Sequence, residues 1–118
     1  MRDWCHWGEL FGLQDARLDE GPRYPQSAMA LQAAFDGQGI ALCGLTLVIG
    51  DLMAGRLVVP YRPARAMKTG YAYRLVSSPG RRQSATQATF MRWIEQEAQT
   101  TRDQISGYLA STEITLAE

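Results

Sequence analysis

Residues 27–44, "SAMALQAAFDGQGIALCG", constrain the fold more than any other stretch. Leu31, Ala34 and Phe35 repeat at helical spacing. Ser27 stands where a hydroxyl can accept from a free backbone N–H and cap the helix start. Gly37 and Gly39 follow where the helix must stop, and glycine enters freely the left-handed conformation such stops use. Residues 40–43 are short, apolar and bounded by glycine, which predicts a buried strand. This order argues against a phosphate-binding role for Gly-Gln-Gly. A dinucleotide loop follows a strand and opens a helix, so that the helix N-terminus meets the anion; here the helix comes first.

The same alternation recurs on both sides. Trp4, Trp7, Gly8 and Phe11 fall at i, i+3, i+4 and i+7, predicting a helix whose aromatic face is core rather than a platform for bases. Residues 14–20 are polar and read as a connector, ended by Gly21-Pro22; Arg23-Tyr24-Pro25 reads as a short extended piece. Leu45, Val48, Ile49 and Leu52 predict a second amphipathic helix that stops at Gly55. Residues 56–61 and 71–77 each predict a strand, the second from alternation of Tyr71, Tyr73 and Leu75 with Ala72, Arg74 and Val76. Residues 62–70 read as a loop whose cations, Arg62, Arg65 and Lys68, are either solvated or face an anion. Ser84 with Gln87 makes a capping box for a last helix carrying Phe90, Trp93 and Ile94, which reaches Thr100 or beyond. After Thr101 two patterns coexist: Ile105, Tyr108 and Leu109 extend a helix, whereas Ile114 and Leu116 alternate as in a strand. Helices alternating with strands predict an α/β layer with mostly parallel strands.

Composition narrows the function. A chain of 118 residues, 46% hydrophobic and 20% charged, is long enough for one domain. Twelve Lys and Arg balance 12 Asp and Glu, so the basic footprint of a dedicated DNA-binding module is missing. No apolar run approaches the ~20 residues of a membrane helix. Residues 4–13 are interrupted by His6 and Glu9, unlike a signal-peptide core, so a cytoplasmic location is expected. Cys5 and Cys43 are expected free, and a single histidine with no second Cys-x-x-Cys offers no metal site. No Gly-x-Ser-x-Gly elbow, His-Glu-x-x-His or phosphate loop is present, and His6 has no evident nucleophile or carboxylate partner, so no catalytic residue, metal or cofactor is assigned.

Four stretches in fixed order, "GPRYPQSAMALQAAFDGQGIALCG", "LVIGDLMAGRLVVPY", "GYAYRLVSSP" and "TFMRWIEQEA", carry a resemblance. Together they resemble the C-terminal half of the effector-binding domain of LysR-type transcriptional regulators, in the glycine-cleavage-activator-like branch, over residues 4–99. The resemblance implies an α/β fold like the type 2 periplasmic binding proteins, incomplete here. The chain would supply mostly the second subdomain, then the strand and helix that return to the first. Residues 1–100 would form this partial domain, with residues 101–118 a tail of uncertain structure. The expectation is a fragment or a shortened reading frame, because neither the helix-turn-helix nor the first half of the effector domain is matched. DNA would then be met only through that missing domain.

By the same resemblance two segments border a small-molecule effector cleft. Tyr24, Pro25, Gln26 and Ser27 enter one helix, whose free N–H groups and positive end suit a carboxylate or amino-acid-like effector. Cys43, Gly44 and Thr46 enter the next, at a strand end where ligands of open α/β sheets collect. Against this stands the plainer alternative, that Ser27 only caps, Tyr24 only packs, and Cys43 to Thr46 is ordinary core and turn. The expected partners are the effector and a second chain, as a homodimer or in pairing with another regulator. Two further classes stay open: a stand-alone small-molecule-binding module, and a dimer-forming interaction fragment. The tail is expected to cover the apolar face of Phe90, Trp93 and Ile94 that an incomplete domain leaves bare.

Overall fold

Ser84 and Gln87 start the longest element of the molecule. The Gln87 amide donates to Ser84 Oγ (3.2 Å) and the Ser84 amide to Gln87 Oε1 (2.9 Å), the reciprocal capping box the sequence predicts. In this computed structural model, which describes residues 3–13, 17–61, 64–80 and 82–117, six elements follow one another. They are α1 (Asp3–Leu10), α2 (Ser27–Phe35), α3 (Leu45–Met53), β1 (Ala64–Met67), α4 (Ala85–Ser111) and β2 (Ile114–Ala117).

Glycine terminates two of these helices by the same device. At the end of α2, Gly37 (φ 71°) donates to Ala34 O and Gln38 to Ala33 O. At the end of α3, Gly55 (φ 69°) donates to Leu52 O and Arg56 to Asp51 O. Each pair is a Schellman closure, which needs a left-handed residue just past the helix. Arg56 also bonds the Asp51 carboxylate through Nε (2.8 Å), which offsets a negative charge near the negative end of α3.

The sheet departs from expectation. Among the described residues the hydrogen-bonded strands are β1 and β2, paired parallel with Ala64 opposite Ile114 and Met67 opposite Ala117. β1 lies within the stretch read from sequence as a cation-bearing loop. Residues 40–43, 56–61 and 71–77 form no strand. Their residue types favour extended backbone, but a strand exists only when a neighbour accepts and donates its ladder, and among the described residues none pairs with them. The tail resolves into both of its patterns: residues 101–111 continue α4, and Ile114 begins β2. β2 adds to β1 instead of covering α4, where Phe90 and Trp93 remain half exposed, 5.7 Å apart between ring centroids.

The core is small. Trp7 of α1, Val48 and Ile49 of α3, and Ala64 of β1 are its buried hydrophobic residues. The α1 aromatic face is core as read: Trp7 sits edge-on to Trp4 (5.8 Å) and tilted against Phe11 (5.2 Å). Arg65 of β1 lies 5.4 Å from the Phe11 ring centroid and donates to the Phe11 carbonyl (3.1 Å), so this cation is engaged rather than simply solvated. Arg62, its companion in the sequence reading, lies outside the described residues. α3 packs along α4. A compact monomer of 13.1 kDa exposes about 6,400 Å²; this chain exposes 9666 Å². Its radius of gyration, 17.3 Å, likewise exceeds the about 13.5 Å of a compact 118-residue domain.

Candidate functional site

Helix α2 begins one residue earlier than a capping serine would allow. Gln26 is the N-cap (φ −134°, ψ 141°), and no side chain bonds the first turn. Ser27 is therefore the first helical residue, not the cap, which corrects the sequence reading. Met29 and Ala30 donate to Gln26 O, whereas the Ser27 and Ala28 amides meet no acceptor among the described residues. Pro25 and Gln26 are exposed, and Tyr24 is just over one-third exposed.

Helix α3 has the same kind of start. Gly44 is its N-cap (φ −70°, ψ 137°), again with no side-chain cap, and Leu47 donates to Gly44 O. The Leu45 and Thr46 amides meet no acceptor among the described residues. Cys43 is half-buried, and that burial pushes its thiol above the ordinary range. At neutral pH it is a neutral thiol, unsuited to nucleophilic attack and without repulsion for an anion at the adjoining helix end.

Both predicted segments thus stand at helix N-termini whose first N–H groups are unpaired among the described residues. Two such ends offer partial positive charge and donors to an anion. No hydrogen bond, ion pair or ring contact joins one segment to the other among the described residues. Two shallow clefts open to solvent lie instead on the first turns of α4, one lined by Gln83, Met91, Arg92 and Glu95, the other by Phe90 and Trp93. Neither includes a residue of the two segments. The second cleft is an open apolar groove without convergent polar groups, a poor small-molecule site; the first carries Gln83, Arg92 and Glu95 but is wide open to solvent.

For catalysis the geometry offers little. His6 does face a carboxylate, contrary to the sequence reading: Nδ1 is 3.9 Å from Glu9 Oε2, one turn along α1. Both side chains are exposed, and the neighbouring Cys5 thiol, also exposed, makes no hydrogen bond with either among the described residues. The described residues contain no group of three or more His, Cys, Asp or Glu able to hold a metal. No helix among them is long and apolar enough to cross a membrane.

The profile of the LysR substrate binding domain family matches residues 2–99. The chain belongs to that family. Membership implies the fold class of the type 2 periplasmic binding proteins, here helix-rich with little strand. Similar proteins include the glycine cleavage system transcriptional activators of Escherichia coli K12, O6:H1 and O157:H7. Each is 36% identical over 93 residues, covering 79% of this chain and 30% of the relative. The chain therefore spans under a third of the length of these relatives, which are named as regulators and not as enzymes. No solved structure matches. The matched residues stop short of β2 and the second half of α4, so the β1–β2 sheet joins a matched strand to an unmatched one.

Proposed function

We propose that this chain is the effector-sensing portion of a LysR-type transcriptional regulator. It would supply mostly the second subdomain of the effector-binding domain, within residues 1–100, with residues 101–118 as an appended tail. In the whole regulator, occupancy of the effector cleft biases the arrangement of subdomains and subunits, and so the engagement of DNA by a separate domain. The setting is the cytoplasm, where such regulators meet DNA.

The observation that carries this reading is the pair of uncapped helix N-termini, at Gln26–Ser27 and Gly44–Thr46, in a chain of the substrate-binding family. Each presents unpaired amides, beside Tyr24 and Pro25 in one case and the neutral Cys43 thiol in the other. The effector class they fit is a small carboxylate or amino acid.

The test is substitution with direct binding. Glycine and acetate, then larger amino acids and short dicarboxylates, are titrated into the chain and followed by calorimetry. Ser27→Ala and Thr46→Ala should each weaken the tightest binder about tenfold, the loss of roughly one hydrogen bond to a charged group. Unchanged affinity in both variants removes the two hydroxyls from the site, and no binding by any of these ligands rules the site out.

A second reading is favoured by the excess exposed surface. A chain that leaves side chains such as Val58, Tyr71, Tyr73 and Val76 bare can pair with another regulator chain and act as an interaction fragment. Co-purification with an intact regulator checks it.

A further inference from the structure

The end of α4 carries no local stop signal. α2 and α3 each close on a glycine at positive φ, Gly37 and Gly55. Beyond Gly107 the sequence holds neither glycine nor proline, and no other residue type takes a positive φ among the described residues. The chain leaves the helix at Thr112, already extended at φ −117° and ψ 129°, with its amide donating to Tyr108 O. β2 begins at Ile114. No capping motif sets this boundary. What draws residues 112–117 out of the helix is their ladder to β1, flanked by the Ala64 amide donating to Glu113 O at 2.9 Å.

The same residues suit a longer helix. The half-buried face of α4 repeats at Thr101, Ile105, Tyr108, Leu109 and Thr112. One further turn would bring position 116, a leucine, onto that stripe. Against the helix stand the β-branched Thr112, Ile114 and Thr115, which favour extended backbone. Glu113 also opposes it, because its charge would fall in the last turn, near the negative end. For the strand there is a ladder of four residues, Ala64–Met67 on Ile114–Ala117. That short ladder competes with a helix that needs no new nucleus to grow.

We propose that residues 112–117 are a two-state strap, either strand β2 docked on β1 or a continuation of α4 that leaves β1 bare. The proposal is independent of the effector reading. β1 has no other ladder among the described residues, so it is a strand only while the strap is docked. The effect of docking reaches α1. Arg65 stands opposite Thr115 in the register. It donates to the Phe11 carbonyl and lies over the Phe11 ring, which packs against the buried Trp7. A docked strap fixes β1 and holds Arg65 against α1; release loosens that contact. The strap lies beyond the family match, which stops at residue 99.

The experiment is hydrogen exchange read by amide-resolved NMR on the full chain, below its melt. The amides of Ala64–Met67 and of residues 114–117 should exchange as one group, about tenfold or more faster than those of residues 89–108 in α4. The double variant Thr112→Ala with Thr115→Ala raises helix propensity without removing a hydrogen bond seen here. It should speed exchange at the Ala64 amide about fivefold, and the Cα shifts of residues 112–117 should move toward helical values. The Trp7 indole resonance should move with them. Sheet amides that exchange only at the rate of α4 overturn the proposal, since the strap then opens only with the whole molecule. A double variant whose tail shifts stay extended or move toward coil overturns it too, and a Trp7 resonance that stays fixed while the tail turns helical overturns the link to α1. If the double variant fails to fold, exchange in the wild type decides.

Discussion

Ser27 is the residue on which the plain and the functional accounts separate. Its hydroxyl caps nothing, since Gln26 holds the N-cap position and no side chain bonds the first turn. Ser27→Ala should therefore change stability by under about 0.5 kcal/mol, measurable by thermal melts, while weakening an effector that uses the hydroxyl. Sequence showed that a polar residue opens this helix but not which one, because the N-cap is defined by backbone angles that neighbouring residues share. Cys43 and Cys5 diverge in the same way. Burial raises the Cys43 thiol, so iodoacetamide at neutral pH should label exposed Cys5 first, with Cys43 following only as pH climbs past the ordinary thiol range. The sign for stability follows. A raised folded-state value favours the fold below the ordinary range, and that contribution is lost as pH rises through the folded value. Cys43→Ala should abolish this alkaline component of the melt. Trp7, the largest of the buried residues, should lose about 3–5 kcal/mol on Trp7→Ala, enough to unfold a domain of ordinary stability.

At the scale of elements, the signals that proved readable are local. Gly37 and Gly55 end their helices at positive φ, and Ser84 with Gln87 opens α4, because each device involves only residues within one or two turns. Gly55→Ala should cost about 1 kcal/mol through the left-handed residue it forces, and Ser84→Ala about 1 kcal/mol through the lost cap, both read from denaturant melts. The strands were the unreadable part. "ARAM" of β1 carries an arginine and no β-branched residue, and becomes a strand only because Ile114–Ala117 lies beside it, 50 positions away in register. Residues 40–43 and 71–77 have better strand composition and no ladder. Pairing is a property of two segments, and composition reports on one. Removing residues 112–118 deletes the partner of β1 and the Glu113 carbonyl that accepts from Ala64. The melting temperature should fall by several degrees, not because the Phe90–Trp93 face becomes bare, since it already is.

The whole molecule buries little for its size. Among the described residues four hydrophobic side chains are buried, and 9666 Å² of surface is exposed, so the elements are well formed individually and sparsely packed together. Membership in the LysR substrate-binding family was legible from the ordered motifs in residues 21–98, since the order of many weak signals is far more specific than any one of them. The two helix entries at Ser27 and Leu45 were legible in sequence, whereas whether a ligand meets either or spans both depends on a tertiary closure that spacing does not encode. The account stands on those helix ends receiving the effector. Its most direct test is an amide-resolved NMR titration of the chain with glycine, acetate and larger amino acids. The amides of Ser27, Ala28, Leu45 and Thr46 should shift together and saturate at one ligand concentration. Shifts confined to the clefts of α4, or none at any of the four amides, would contradict it.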